Sequence, residues 1–193
     1  MFYNTEKIIL ASGSPRRREY LDELGLKFTV RVASIDENPR RDEHAGDFVV
    51  RMAREKAAVV SSAFEDSWII AGDTVVCMGK KILGKPDDEA DAIAMLMSLS
   101  GREHTVRTGI CLCNSSQDVL AYNFVETKVF FADFDKNTAR NYVATGECLD
   151  KAGAYGIQGK GAFLVKSIQG SYSNVVGLPL HELLEMLRKY RVI

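Results

Sequence analysis

The chain has 193 residues, of which 46% are hydrophobic and 26% are charged, a composition typical of a soluble globular protein. Its formal net charge of −1 excludes a global positive field that would attract nucleic acid, so any phosphate must be bound by a local basic cluster. Because the sequence has no apolar run of membrane-spanning length and no signal-peptide pattern, we expect a cytoplasmic protein with no membrane partner.

Hydrophobic periodicity predicts alternating helices and strands. In chain order these are strand 7–11, helix 16–24, strand 27–34, helix 47–63, strand 68–78, hairpin partner 80–83, helix 88–99, strands 105–113 and 119–131, helix 136–145, strand 162–168 and helix 180–190. This order predicts an α/β fold with a mixed central β-sheet flanked by helices, within a single domain over 1–193.

The cysteines show no metal-binding spacing. None of them forms a Cys-x-x-Cys pair, and the three histidines are scattered along the chain. We therefore expect four buried, reduced thiols rather than a zinc site. These cysteines are Cys77, Cys111, Cys113 and Cys148.

Residues 12–17 combine small residues, a helix start and two guanidinium groups at the end of a predicted strand. Ser14 suits the N-cap of the helix, whose unpaired N–H groups attract anions. Arg16 and Arg17 add forked donors that match phosphate oxygens. We therefore take Ser12, Ser14, Arg16 and Arg17 as candidates for phosphate binding. The alternative is an ordinary helix cap followed by solvated arginines.

Asp73 places a carboxylate inside an apolar strand, and Thr74 supplies a hydroxyl on the opposite side. A buried carboxylate is costly unless it is paired or bound to a metal. Asp73 is therefore a candidate metal ligand or general base. The alternative is a strand end that emerges into solvent.

Three further charged residues are candidates. Lys56 lies on the apolar stripe of its helix, where a lysine usually extends toward solvent. Lys85 follows Gly84 in a rigid turn that would aim its side chain. Glu37 follows Asp36 in a loop after a strand, a common position for metal ligands, although a solvated acidic loop is the simpler interpretation.

Residues 150–161 contain four glycines, which allow close approach of the backbone to a ligand. We predict a functional loop here rather than a linker. Gln158 has an amide that can read the edge of a nucleobase, and Tyr155 can stack or pack. The alternative is a tight structural turn.

In this order, these segments resemble the Maf family of nucleoside triphosphate pyrophosphatases, also known as septum-formation proteins. The matching pieces are residues 10–17, 36–37, 56–57, 72–76, 83–86, 99–101 with His104, 108–109, 126–127, Tyr142 with 145–147, 150–159 and 175–180. The resemblance spans nearly the whole chain. It implies a Maf/ITPase-like fold of two lobes with an active-site cleft between them, and it implies a homodimer.

The same resemblance implies hydrolysis of a nucleoside triphosphate to the monophosphate and pyrophosphate, with Mg²⁺, Mn²⁺ or Co²⁺ as the candidate metal. Residues 150–159 match the branch acting on dTTP and UTP. By this match Asp73 is the proton acceptor, and Arg16, Thr74 and Gln158 determine substrate choice. The remaining positions that match the family's active site are Lys56, Lys85, Arg17 and Glu37, and Glu37 is implied as a metal ligand together with Asp73. The sequence departs from the family pattern at Cys148 and at 33–34.

Two other functions stay open. One is a non-catalytic, nucleotide-binding regulator of septum formation or cell division, which would release no pyrophosphate from dTTP. The other is a nucleic-acid-binding module that uses the arginine segment, although the near-neutral charge and the lack of an aromatic-basic stripe argue against it.

Overall fold

Seven strands form one mixed sheet in the computed structural model, which describes all residues from Met1 to Ile193. The strands are β1 (Ile8–Leu10), β2 (Phe28–Val30), β3 (Trp68–Met78), β4 (Lys81–Leu83), β5 (Glu103–Asn114), β6 (Val119–Phe131) and β7 (Val165–Gln169). They follow the order β2-β1-β3-β5-β6-β7, with β4 paired to β3. β1 pairs in parallel with β2 and β3, whereas the β3–β4 and β6–β7 pairs are antiparallel.

Six α-helices and two 3₁₀-helices accompany the sheet. The α-helices are α1 (Pro15–Glu23), α2 (Ala45–Ser61), α3 (Glu89–Leu99), α4 (Lys136–Val143), α5 (Tyr172–Val176) and α6 (Leu180–Lys189). The 3₁₀-helices span Ala152–Ala154 and Gly159–Leu164. The predicted α/β fold with a mixed, helix-flanked sheet is confirmed. No helix combines the length and apolar character needed to cross a bilayer.

The chain forms two compact units. The first unit comprises Met1–Asp73, Thr108–Val125 and Gly177–Ile193, and the second comprises Thr74–Arg107 and Glu126–Val176. The first unit has a core that includes Ile9, Ile69 and Cys111. The core of the second unit includes Leu96, Val129 and Tyr142. Each unit therefore has an apolar interior of its own.

The start of α1 differs from the prediction. Pro15 occupies the first helical position, one residue before the predicted start, and the Ser14 side chain makes no capping hydrogen bond. Instead, the Ser14 N–H donates to Ser12 Oγ at 3.2 Å. The helix ends at Glu23, one residue before the predicted end, and is followed by Gly25, which has φ +79° and whose N–H donates to the Asp22 carbonyl at 2.9 Å.

Two elements near the C-terminus and one strand near the N-terminus differ most from the sequence prediction. The strand predicted over 162–168 begins only at Val165, because Gly159–Leu164 forms a 3₁₀-helix. The helix α5 (Tyr172–Val176) was not predicted; at five residues it is too short to show a periodic pattern. The second predicted strand is also shorter, at Phe28–Val30. All four cysteines are free and buried, as predicted.

Candidate active site

Lys56 and Asp73 form a nearly buried ion pair in the first unit. Asp73 lies within β3 and Lys56 lies on α2, and their Nζ and Oδ1 atoms are 2.7 Å apart. Their side chains are only 11% and 14% exposed, so neither residue matches the solvated alternative weighed from the sequence. Each charge compensates the desolvation of the other. The ion pair thus explains why a carboxylate lies inside a strand and a lysine lies on the apolar stripe of a helix.

Glu37 completes a three-residue cluster. Its Oε1 atom lies 2.9 Å from Lys56 Nζ, so one ammonium group contacts both Glu37 and Asp73. The Glu37 side chain is 56% exposed, unlike the other two. The cluster therefore joins a buried pair to an accessible carboxylate on a loop.

Arg51 anchors the loop that carries Glu37. Its Nε and Nη2 atoms donate to the two carboxylate oxygens of Glu43 at 2.6 and 2.7 Å, and Nη2 also donates to the Asn38 carbonyl at 3.1 Å. The hydrogen bonds from Arg51 hold the pKa of Glu43 at about 2. Sequence analysis missed this anchor, since nothing local links Arg51 on a helix to the preceding loop.

Arg17 is buried, in contrast to the solvated alternative. Its Nε donates to the Gly177 carbonyl at 2.7 Å, and its Nη1 donates to Ser12 Oγ at 3.0 Å. Ser12 is buried as well, and it also accepts from the Ser14 N–H. Two donors of the guanidinium, which the sequence assigned to phosphate, are therefore engaged within the protein. Arg17 therefore links the start of α1 to Gly177, the first residue of the C-terminal stretch Gly177–Ile193.

The charged groups of the first unit share one electrostatic environment. Burial lowers the pKa of Arg17, the charges of Asp73 and Glu37 act against this, and Arg16 adds to it. A Cβ atom at Gly72 would lie 3.4 Å from Arg17 Nε, so the guanidinium passes directly over the backbone before Asp73. Arg17 and Lys56 thus place two cationic groups beside the carboxylates of Asp73 and Glu37.

Three of the predicted site residues belong to the second unit. Thr74 is half-buried in β3, Lys85 is exposed in the turn after β4, and Gln158 is half-buried directly before the second 3₁₀-helix. The turn of Lys85 is connected to the glycine-rich loop, because the Gly84 carbonyl accepts from the Gly153 N–H at 2.9 Å. The structure does not test the roles of these residues, which stay predictions.

The two carboxylates of the cluster fit a divalent metal by their chemistry. Mg²⁺ is commonly bound by one or two carboxylates, with water and substrate phosphates as the other ligands. Glu37 and Asp73 both contact the Lys56 ammonium, so a cationic group already lies beside both carboxylates. No group of three or more His, Cys, Asp or Glu residues forms a complete protein cage for a metal.

Comparison with known proteins gives consistent matches over the chain. A family model described as Maf-like protein matches residues 7–190. A protein from Desulfotalea psychrophila is 54% identical over 193 residues, covering 100% of this chain and 99% of its own, and is named dTTP/UTP pyrophosphatase. Relatives with the same name are 50% identical over 182 residues in Myxococcus xanthus and 46% over 183 in Geobacter sulfurreducens. These two cover 94% and 95% of this chain, and 91% and 96% of their own.

Proposed function

Because the chain belongs to the Maf family, we propose that it hydrolyses nucleoside triphosphates, dTTP and UTP in particular, to the monophosphate and pyrophosphate. The observation that carries this proposal is the cluster of Lys56, Asp73 and Glu37 beside Arg17. It places two cationic groups, which can attract a polyanion, beside a carboxylate that can accept a proton.

Binding of the triphosphate needs neutralisation of its charge. Arg16 and the N-terminus of α1 supply guanidinium and backbone donors for phosphate oxygens. Arg17 adds positive charge from its buried position and keeps Ser12 and the first turn of α1 in place. Lys56 and Lys85 stabilise the negative charge that develops on phosphoryl oxygens during the reaction.

Asp73 is the proposed general base. Lys56 contacts its Oδ1 atom, and we propose that one carboxylate oxygen would serve the metal and the other the attacking water. Asp73 then orients this water toward the α-phosphorus and accepts its proton. Because Asp73 lies within a strand of a hydrogen-bonded sheet, its carboxylate is held without the entropy cost of ordering a loop.

Glu37 and Asp73 would hold the divalent metal, with Mg²⁺, Mn²⁺ and Co²⁺ as candidates. When bound, such an ion supplies Lewis-acid stabilisation of the phosphate oxygens. Thr74 and Gln158 are the proposed determinants of substrate choice, and the Gln158 amide matches the donor and acceptor edge of a uracil or thymine ring. On the same family resemblance we propose a homodimer, a cytoplasmic location and one domain over 1–193.

Asp73→Asn tests this function, since it keeps the size of the side chain and removes its basicity. We expect kcat for dTTP and UTP to fall by about 10²- to 10⁴-fold, measured as pyrophosphate release in the presence of Mn²⁺. The matched control is Asp66→Asn, the same chemical change in an exposed turn, which should retain full activity. Turnover by Asp73→Asn at the wild-type rate would exclude Asp73 as the base, and no pyrophosphate from the wild type would favour the non-catalytic regulator.

A further inference from the structure

The segment that carries Gln158 is folded around one carboxylate of the second unit. Glu147 follows directly after Gly146, whose φ of +74° lies at the end of α4. Glu147 Oε2 accepts from the Lys160 N–H at 2.8 Å, and its Oε1 accepts from the Gly161 N–H at 3.0 Å. The backbone on the C-terminal side of Gln158 is therefore held at two successive amides.

Tyr142 extends the same anchor to the N-terminal side of Gln158. Its hydroxyl donates to Glu147 Oε1 at 3.1 Å and accepts from the Gly156 N–H at 3.1 Å. Tyr142 is a buried residue of α4 and is only 2% exposed, so the hydroxyl is fixed by packing. Backbone amides on both sides of Gln158 are thus hydrogen-bonded to the Glu147 carboxylate, either directly or through the Tyr142 hydroxyl.

The glycines of the segment show how closely it follows this anchor. Gly159 has φ +73°, and a Cβ there would lie 2.7 Å from Glu147 Oε2. A Cβ at Gly161 would lie 2.6 Å from the Tyr142 hydroxyl and would overlap the Gly156 carbonyl. The glycines are therefore required by contacts with the anchor and with the segment itself, in addition to any approach of a ligand.

Glu147 is ionised, as its hydrogen bonds with three donors require. Burial raises the pKa of its carboxyl, but the N–H donors of Lys160 and Gly161 outweigh burial, so the pKa is lowered overall. An ionised carboxylate offers acceptors only, which matches the three donors directed at it. Lys151 adds a further contact, from its ammonium to the Glu147 carbonyl.

We propose that Glu147 and Tyr142 are positioning residues that fix the backbone on both sides of Gln158 and thereby set the preference for pyrimidine triphosphates. This inference rests on the proposed function, because it assumes that Gln158 reads the base. It assigns neither residue a contact with substrate. The anchor holds the backbone of Gln158 in one conformation. The side-chain amide of Gln158 therefore does not have to be ordered when the nucleotide binds.

The first test is amide hydrogen exchange, which requires no activity. In Glu147→Gln one carboxylate oxygen becomes an NH₂ group that cannot accept, so at least one N–H donor loses its partner. We expect exchange in residues 156–164 to become about tenfold faster or more in Glu147→Gln and in Gly159→Ala. The matched control, Glu89→Gln at the exposed start of α3, should exchange like the wild type in this segment. Unchanged exchange in both anchor variants would overturn the anchor.

The second test is substrate discrimination, measured as the ratio of kcat/KM for UTP to kcat/KM for GTP. We expect Glu147→Gln, Tyr142→Phe and Gln158→Ala to lower this ratio about tenfold. The double variant Glu147→Gln/Gln158→Ala should be no worse than Gln158→Ala alone, since both changes act through one amide.

The outcomes separate the two proposals. Faster exchange with an unchanged ratio in Glu147→Gln would overturn the link between the anchor and specificity. Additive losses in the double variant would overturn it as well, because Glu147 would then act independently of Gln158. If the wild type hydrolyses no triphosphate, the proposed function fails, while the exchange experiment still decides whether Glu147 holds the segment.

Discussion

Arg16 and Arg17 are neighbours in the sequence but have different surroundings in the structure. Arg17 is 9% exposed, with its guanidinium bound to the Gly177 carbonyl and to Ser12 Oγ, whereas Arg16 is half-buried. The sequence placed both in one phosphate-binding segment because both follow a helix start. Which of them points inward depends on the helix rotation set by packing, and the local pattern does not contain this information.

Arg17→Lys should therefore reduce the stability of the protein, although it keeps the positive charge of the side chain. A lysine cannot reproduce the forked geometry that reaches Ser12 and Gly177 together, so we expect a loss of about 2 kcal/mol in the free energy of unfolding, measured in urea. Arg18→Lys, at an exposed position of the same helix, should change it by less than about 0.5 kcal/mol. Equal effects of the two substitutions would contradict the structural role of Arg17.

The buried side chain of His104 should make the stability of the protein depend on pH. Burial lowers its pKa to about 4, and its Nε2 lies 2.8 Å from the Tyr155 hydroxyl. As the pH falls below about 6.5, the unfolded chain binds a proton that the folded protein does not, so stability is lost until about pH 4. We expect this residue to contribute a loss of roughly 3 kcal/mol over that interval.

His104→Phe should remove this part of the pH dependence, seen as a smaller decrease of Tm between pH 6.5 and 4 than in the wild type. Tyr155→Phe is the control for the lost hydrogen bond, because it keeps the buried imidazole and should retain the steep decrease. A variant without His104 that loses stability as steeply as the wild type would show that other groups dominate.

At the scale of elements, hydrophobic periodicity located most helices and strands to within a few residues. Helix α2 and strand β3 illustrate why, since nine residues of α2 are buried and β3 begins with five buried residues in succession. Both patterns are long and regular. Residues 162–164 of the 3₁₀-helix Gly159–Leu164 were predicted as strand, because the conformation of this helix depends on contacts of Glu147 and Tyr142, which lie earlier in the chain.

The close packing of α2 on β5 gives a prediction at this scale. A Cβ atom at Gly109 would overlap the Val49 carbonyl and lie 2.7 Å from the Val50 nitrogen, both backbone atoms of the helix. Gly109→Ala must therefore displace α2, the helix that carries Lys56, and we expect a loss of about 2–3 kcal/mol in the free energy of unfolding. In the control Gly84→Ala, the added methyl group meets open space and should change stability little.

Activity separates the displacement of α2 from simple loss of stability. In Gly109→Ala, measured well below its Tm, kcat for dTTP should fall, because Lys56 no longer lies at hydrogen-bond distance from Asp73. A destabilised Gly109→Ala variant with wild-type kcat would indicate that the strand, and not α2, absorbs the added methyl group.

At the scale of the whole molecule, three strands run through both compact units. The boundaries fall within β3 at 73–74, within β5 at 107–108 and within β6 at 125–126. Separate unfolding of one unit would have to break each of these continuous strands. We therefore expect one cooperative transition, consistent with a single domain over 1–193.

Equilibrium unfolding with two probes tests this expectation. The single tryptophan, Trp68, is buried in the first unit and reports on that unit by fluorescence, whereas far-ultraviolet circular dichroism reports on the entire chain. The two urea transitions should coincide, with the same midpoint and slope. A circular dichroism transition that continues after the fluorescence change is complete would instead indicate two independently unfolding units.

The sequence by itself determined the family, most secondary structure and the identity of the charged residues at the candidate site, because apolar periodicity and ordered motifs are local properties of the chain. Only the tertiary structure decided how these charges are paired. Lys56 reaches Asp73 across 17 positions, and Arg17 reaches the Gly177 carbonyl across 160. A buried polar group must find a partner, but strand order and helix packing select which one, and neither is encoded in the spacing of neighbouring residues.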